Sequence, residues 1–190
     1  MNLISDPNLP DQFVGLKLAP FNPINNDGLK VALEMLDIKE LSATSILYDL
    51  GCGDGRVLIE ACKTNGSIRA VGVEYDLSLC IRARENISRD GFNLRAKVLH
   101  GNVMDISIDD ASVIFIYLVP KGIVALSDVL KGALANNVRI VTYVFSIPSL
   151  IPSRVEIYKG STKLYLYTRE CLEGSESGII HKVGSNIITK

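Results

Sequence analysis

A set of closely spaced glycines follows the first apolar run of the chain. Residues 46–50 read Ile-Leu-Tyr-Asp-Leu, and glycines stand at positions 51, 53 and 55. A helix-compatible segment, 57–62, comes next. A strand, a glycine turn and a helix in this order form the place where an α/β sheet admits a nucleotide-like ligand, since glycine lets the main chain approach closely.

The spacing of these glycines argues against a dinucleotide. A G-x-G-x-x-G fingerprint would need glycine at position 56, where the chain has Arg56. The pattern is instead G-x-G-x-G with Asp49 two residues before it. It resembles the first motif of the class I S-adenosylmethionine (SAM) methyltransferases. The resemblance implies SAM as cofactor and S-adenosyl-L-homocysteine as product, whereas a turn that only closes a β-α unit is the alternative.

Each part of SAM needs a different partner. We expect the main chain at Gly51, Cys52 and Gly53 to line the ligand, and the Asp49 carboxylate to accept from its ammonium group. Glu74 lies 23 residues after Gly51, at the end of the second apolar run. An acid there can accept from both ribose hydroxyls, as in dinucleotide folds, although a solvated glutamate at a strand end is the alternative.

Two further segments complete the predicted site. Tyr75 follows Glu74 and is expected to line the same edge. Asn102 and Val103 follow the third predicted strand and are candidates to bind the adenine, with Asp105 as a competitor for the same role. A turn that caps the strand explains the same residues without a ligand.

The methyl-transfer centre is marked by a tyrosine. Enzymes that methylate amide or nucleobase nitrogens often carry Asp/Asn-Pro-Pro-Tyr/Phe after the fourth strand, but here positions 117–120 read Tyr-Leu-Val-Pro. Tyr117 is therefore the polar catalytic candidate near the methyl group. An aromatic side chain that packs at the strand end is the alternative.

The chain also resembles a narrower group, the small seven-strand protein-lysine methyltransferases of archaea and mitochondria. The resemblance covers about residues 13–168, and four segments carry it: 19–23 (Ala-Pro-Phe-Asn-Pro), 48–56, 117–120, and 139–145 with the strand pair ending in 164–167. The resemblance implies that the methyl acceptor is the ε-amine of a lysine in a protein. It also implies an N-terminal arm in which Phe21 covers the cofactor. Ile24 stands where the group has Thr, and 146–148 (Ser-Ile-Pro) replace a polar-aromatic run.

The elements that must position these residues follow from the periodicity of apolar side chains. The patterns predict strands at about 46–50, 69–74, 95–99, 113–118 and 138–145, then a hairpin of 154–159 and 163–169. They predict helices at about 28–41 (capped by Asp27), 55–64, 77–90, and from Pro120 through Leu134. Five strands alternating with helices predict a doubly wound, mostly parallel sheet. The resemblance makes it seven-stranded, with an antiparallel last strand from the hairpin.

Composition limits the other possibilities. The 190 residues, of which 47% are hydrophobic, predict one domain over 1–171, with an arm at 1–26 and a tail at 172–190. A net charge of −1 argues against nucleic acid as partner. Four cysteines without a C-x-x-C pair and two histidines argue against a metal and favour a reduced, cytoplasmic setting. No apolar run is long enough for a membrane span.

Three alternatives to protein-lysine methylation stay open. They are methylation of a small molecule or nucleic acid, a non-catalytic SAM-binding subunit whose protein partner binds the arm or the tail, and a dinucleotide oxidoreductase, which the glycine spacing disfavours. The sequence carries no signal for an oligomeric state.

Overall fold

The computed structural model describes residues 22–176, which form a seven-stranded sheet with helices on both faces. Its strands are β1 (Ile46–Leu50), β2 (Arg69–Glu74), β3 (Ala96–His100), β4 (Val113–Ile116), β5 (Arg139–Tyr143), β6 (Arg154–Tyr158) and β7 (Thr162–Tyr167). Their order across the sheet is β3-β2-β1-β4-β5-β7-β6. β1 to β5 pair in parallel, and β7 is antiparallel to both β5 and β6. The predicted sheet and its antiparallel hairpin strand are therefore confirmed.

The helices are α1 (Asn26–Met35), α2 (Arg56–Thr64), α3 (Leu77–Arg89), α4 (Pro120–Ala125), α5 (Ser127–Ala135) and α6 (Glu170–Glu176). Neighbouring residues of a strand point to opposite faces, so each central strand feeds two apolar layers. In β4, Phe115 packs into the layer under α1, α2 and α3, whereas Ile114 packs into the layer under α4 and α5. The central strands are buried on both faces, as a parallel sheet requires.

The start and the end of α1 differ from the prediction. The cap is Asn25, whose side chain accepts from the Gly28 N–H at 2.9 Å, and not Asp27. Asp27 lies in the first turn of the helix and pairs with Lys159, with 2.8 Å between Oδ2 and Nζ. The helix ends at Met35 because Asp37 takes a left-handed backbone conformation (φ +50°), and only a short 3-10 turn, Ile38–Glu40, follows.

The single helix predicted after Pro120 is two helices. Leu126 ends α4 with ψ near zero (−2°) and is fully buried. The apolar period predicted for this segment still holds across the break, because Ile123, Leu130 and Leu134 all lie in the same layer. The sequence pattern therefore indicated the buried face correctly but not the break.

The chain between β5 and β6 forms no helix, as predicted from its length and its prolines. β5 ends two residues before the predicted end, because Val144 has φ +71° and leaves the extended conformation. The boundary proposed after residue 171 falls inside α6, an element that the sequence did not indicate, and Cys171 is buried in the second layer. In the described part of the chain, no helix has the length and apolar character of a membrane span.

Candidate active site

The glycine turn joins the carboxyl end of β1 to the start of α2. Gly51 and Cys52 both donate from their backbone N–H groups to the Val73 carbonyl, at 2.8 and 3.0 Å, so the turn is fastened to β2. Gly51 has φ +90°, and a Cβ there would lie 2.8 Å from Cδ2 of Leu118. A side chain at position 51 would therefore strain the backbone and collide with the segment after β4.

The second half of the turn is anchored by an ion pair. Arg56 contacts Asp54 with both arms of its guanidinium, at 2.9 Å from Nε to Oδ1 and 2.7 Å from Nη2 to Oδ2. The same guanidinium donates from Nη1 to the carbonyl of Ile24 at 3.0 Å. Asn86 of α3 donates to the Asp54 carbonyl at 2.9 Å. Arg56, whose role the sequence did not indicate, thus connects the turn to the segment that precedes α1.

Asp49 is a buried acid with an unused oxygen. Its residue surface is 2% exposed, and within residues 22–176 no hydrogen-bond partner is found for Oδ2. Burial, together with the nearby carboxylates of Glu74 and Asp54, raises the pKa of Asp49 well above its ordinary value. Buried polar atoms are normally paired, so an acid in this state is suited to a cationic hydrogen-bond donor.

Glu74 holds the edge of the site together. Its Oε2 accepts from the Gly53 N–H at 2.8 Å, and its Oε1 accepts from the N–H groups of Tyr75 and Asp76, both at 2.9 Å. An ionised carboxylate offers about four acceptor positions, so these bonds leave room on Oε2 for a ligand hydroxyl. The sheet therefore brings Asp49, Glu74 and the glycine turn together, as the sequence predicted for one site.

The residues predicted near the adenine lie beside this edge. Gly101, which precedes Asn102, donates to the Glu74 carbonyl at 3.0 Å. Tyr75 is 39% exposed, so its ring is available to a ligand. The Asn102 side chain accepts from the Met104 N–H at 3.0 Å and closes its own turn, whereas Asp105 is exposed. Val103, between them, is half-buried.

Cys52, in the glycine turn, has a buried side chain. The Cys52 side chain packs against β2, since a Cβ on Gly72 would lie 2.5 Å from its Sγ. Burial, aided by nearby acids, raises the pKa of the Cys52 thiol, which makes it a packing group. Phe21 lies outside the described residues.

Tyr117 follows β4 on the other side of the glycine turn. Its hydroxyl accepts from Nδ2 of Asn22 at 3.2 Å. Its ring meets the ring of Tyr143 edge to face, with 4.7 Å between centroids and 84° between planes. Tyr143 ends β5 and Tyr158 ends β6, so both lie at the same edge of the sheet as Tyr117. The sequence analysis missed both, although a polar aromatic residue at the end of a strand was the available signal.

No metal centre is evident in the described part of the chain. No group of three or more His, Cys, Asp or Glu side chains is arranged there to hold an ion. Cys52, Cys62, Cys80 and Cys171 are all free and buried.

Comparisons with known proteins agree on one kind of enzyme. The family model of the ANTKMT methyltransferase domain matches residues 49–154. A protein-lysine N-methyltransferase of Saccharolobus islandicus (strain REY15A) is 35% identical over 141 residues, which are 73% of this chain and 88% of that protein. A lysine N-methyltransferase of Homo sapiens that is named for an ATP synthase component is 27% identical over 157 residues, 83% of this chain and 64% of its own length.

A solved structure matches over most of its length. It is the crystal structure of an RNA methyltransferase from Salinibacter ruber in complex with S-adenosyl-L-homocysteine, with a TM-score of 0.72 and 31% identity. The match covers 77% of this chain and 93% of that one.

Proposed function

We propose that this chain, which belongs to the family of the ANTKMT methyltransferase domain and is a SAM-dependent methyltransferase, methylates the ε-amine of a lysine in a protein. The observation that carries the choice of acceptor is the 35% identity to a protein-lysine N-methyltransferase over 88% of that protein's length. We further propose that the catalytic domain contains the residues 1–171 predicted from the sequence together with the rest of α6, and that a reduced, cytoplasmic setting suits its buried free thiols.

The donor side of the proposed site begins with charge. SAM supplies a methyl group on a positively charged sulfur and also carries an ammonium group. The unpaired, buried Oδ2 of Asp49 is the acceptor that we assign to this ammonium. The nearby Glu74 carboxylate adds negative potential at this place, which favours a cationic ligand over a neutral one, whereas the charge of Asp54 is balanced by Arg56.

The rest of the donor is assigned to the edge of β2 and β3. Glu74 would accept from one ribose hydroxyl through Oε2, since its other acceptor positions are occupied, and Tyr75 would cover the adenine. The next turn contains Asn102, Val103 and Asp105, which would bind the edge of the adenine. The Asn102 side chain already accepts a backbone hydrogen bond, whereas the Asp105 side chain is exposed. The bare main chain of the glycine turn lets the methionine part of the ligand lie close, since glycine has no Cβ.

The acceptor side needs a neutral amine. A free lysine has a pKa of about 10.4, so its proton must leave before nitrogen can attack the methyl group. Partial burial at the edge of β4 disfavours the charged ammonium, and the departing proton goes to water. Tyr117 is assigned to orient the nitrogen lone pair toward the methyl. The chain's contribution is alignment and exclusion of water, and it needs no metal of its own.

Replacing Tyr117 with phenylalanine tests this assignment. We expect turnover to fall about twofold to tenfold, the effect of losing one orienting hydrogen bond, while SAM affinity stays unchanged. The measurements are steady-state methyl transfer and calorimetric binding of SAM. Tyr165→Phe is the matched control, because Tyr165 packs on the opposite face of the sheet. Equal turnover in Tyr117→Phe and wild type would make the residue a packing group.

The acceptor class is tested with radiolabelled SAM. The protein is incubated with SAM and cell extract, and separate samples are digested with protease or nuclease. We expect protease, and not nuclease, to release the label. After acid hydrolysis the label should be found in mono-, di- or trimethylated lysine. Extract and labelled SAM without the protein serve as the control for methyltransferases already present in the extract.

RNA is the second candidate acceptor, because the matched Salinibacter ruber structure is described as an RNA methyltransferase. RNA binding rests on clustered positive charge, and the net charge of −1 gives no general attraction to a polyanion. Label that nuclease removes and protease does not would overturn the lysine proposal in favour of RNA. Binding of SAM without any transfer would favour a non-catalytic role.

A further inference from the structure

Three tyrosines at the carboxyl edge of the sheet, Tyr117, Tyr143 and Tyr158, are called here the tyrosine row. They come from the ends of β4, β5 and β6, which point the same way because β7 is antiparallel to both of its neighbours. All three pack on the face that carries α1. The row therefore begins beside the glycine turn, at Tyr117, and leads away from the proposed donor site.

The segment that enters α1 lies against the row. Asn22 donates to the Tyr117 hydroxyl at 3.2 Å, and the Tyr158 hydroxyl donates to Oδ1 of Asn25 at 2.8 Å. A Cβ on Gly28 would lie 3.4 Å from the ring of Tyr143, so the helix start is in contact there too. The start of α1 therefore packs against the rings, and Tyr117 and Tyr158 remain only half-buried, so part of the row is exposed.

Tyr143 differs from the other two members in its hydroxyl. The Tyr117 and Tyr158 hydroxyls have partners, but within residues 22–176 the structure gives none for that of Tyr143. The residue as a whole is only 6% exposed. Its hydroxyl oxygen is unpaired among the described residues but is not sealed off from the surface, so it is available to a ligand.

The backbone beside Tyr143 is strained. Val144 has φ +71°, and Phe145 donates back to the Tyr143 carbonyl at 2.9 Å, which makes a tight γ-turn with positive φ. A β-branched residue rarely takes this conformation. A bond from the Val144 N–H to the Lys163 carbonyl, at 2.8 Å, holds it in place. Strain of this kind concentrates where a side chain must be fixed for function, and the side chain fixed here is Tyr143.

We propose that the tyrosine row is the wall that receives the alkyl chain of the acceptor lysine, and that the Tyr143 hydroxyl contacts its amine. This rests on the proposed function and names the acceptor subsite within it. Three ring faces and edges offer the apolar contact that four methylene groups need. The Tyr158 hydroxyl also contacts the carboxylate of Asp27. This carboxylate is paired with Lys159, so its negative charge is already balanced.

The chemistry of a phenol suits this task. Burial, and then the neighbouring Tyr117 and Tyr158, raise the pKa of Tyr143, so its hydroxyl stays neutral in the range where an enzyme works. A carboxylate in the same position would stabilise the ammonium form of lysine and oppose the loss of its proton. A neutral oxygen can accept from the amine without that penalty.

The test uses analogues of S-adenosyl-L-homocysteine in which nitrogen replaces sulfur and carries a methyl, an n-butyl or a 2-aminoethyl group. Calorimetry on the full chain measures their affinities. We expect the butyl analogue to bind about tenfold more tightly than the methyl analogue, the gain for burying roughly half of a four-carbon chain. Tyr143→Ala and the half-buried Tyr158→Ala should each lose most of this gain, while Tyr165→Ala keeps it.

The hydroxyl is tested separately. Tyr143→Phe should keep the butyl gain but bind the 2-aminoethyl analogue, whose amine lies one bond beyond the place of the lysine nitrogen, about threefold to tenfold less tightly than wild type does. Unchanged affinity for S-adenosyl-L-homocysteine in every variant verifies the fold. Equal binding of the methyl and butyl analogues by wild type, or a butyl gain that survives both alanine variants, would overturn the proposal. The radiolabel assay tests whether the acceptor is a protein lysine or RNA, whereas this calorimetry tests whether the tyrosine row binds the alkyl chain. The two proposals can therefore fail independently of each other.

Discussion

Asp49→Asn should bind SAM about 10- to 150-fold more weakly than the wild type and, without ligand, should unfold at a higher temperature. The loss of affinity is that of a charge-assisted hydrogen bond to the ligand's ammonium group. The gain in stability arises because the amide removes an acid that is buried beside two other acids. Calorimetry of SAM binding and thermal unfolding of the free protein measure the two effects.

The pH dependence of the stability gain has a definite sign. Because the pKa of Asp49 is raised in the folded protein, the folded state binds more protons than the unfolded state once the pH exceeds about 4. The stability of the free wild type therefore decreases as pH rises from there toward the raised pKa. Asp49→Asn lacks this contribution, so its advantage in unfolding temperature should be smallest below pH 4 and grow as the pH rises.

An exposed acid supplies the control. Asp128 lies on the surface of α5, and Asp128→Asn changes the same atoms away from the site. It should leave both SAM affinity and the unfolding temperature near their wild-type values. If Asp49→Asn bound SAM as tightly as Asp128→Asn does, the ammonium contact would have to lie elsewhere.

Glu74→Gln should weaken SAM binding by about 1–3 kcal/mol, because it removes the negative charge of the oxygen that accepts from a ribose hydroxyl. The single glutamine oxygen can serve the N–H groups of Tyr75 and Asp76, but its NH2 group then faces the Gly53 N–H, so the unfolding temperature should also fall slightly. Titration calorimetry gives the affinity. Glu156→Gln is the matched control, since Glu156 pairs with Arg154 on the distant strand β6.

Glu74→Ala separates the two roles of this side chain. It should lose the same affinity and, in addition, about 1 kcal/mol of stability, because the N–H groups of Gly53, Tyr75 and Asp76 lose their acceptor and must bind water. Wild-type affinity in both Glu74 variants would remove this residue from the donor site.

The layered fold was predictable because its signals are local. Apolar runs such as 69–74 and 113–116 are continuous, which is typical of strands buried on both faces. The break at Leu126 was not predictable, because the apolar period continues through it. Asn25 and Asp27 are both good capping residues, and only the tertiary contact of Asp27 with Lys159 shows which of them is free to cap.

The placement of the proposed donor residues at one edge of the sheet was predictable for a similar reason. Asp49, the glycines and Glu74 lie at fixed distances along one β-α-β segment, so their spacing in sequence reports their spacing in the fold. The tyrosine row combines residues 117, 143 and 158 from three strand ends, and no short motif joins them. The left-handed conformation of Val144 is equally hidden, since valine has the opposite intrinsic preference.

The three backbone bonds of Glu74 also have a thermodynamic consequence. A surface glutamate samples many rotamers and loses about 0.5–1.5 kcal/mol of conformational freedom when a ligand fixes it. Here the N–H groups of Gly53, Tyr75 and Asp76 already hold the carboxylate in the free protein. The side chain therefore loses its conformational freedom during folding and not when the donor binds. The binding free energy of the nucleoside end of the donor is not reduced by that cost.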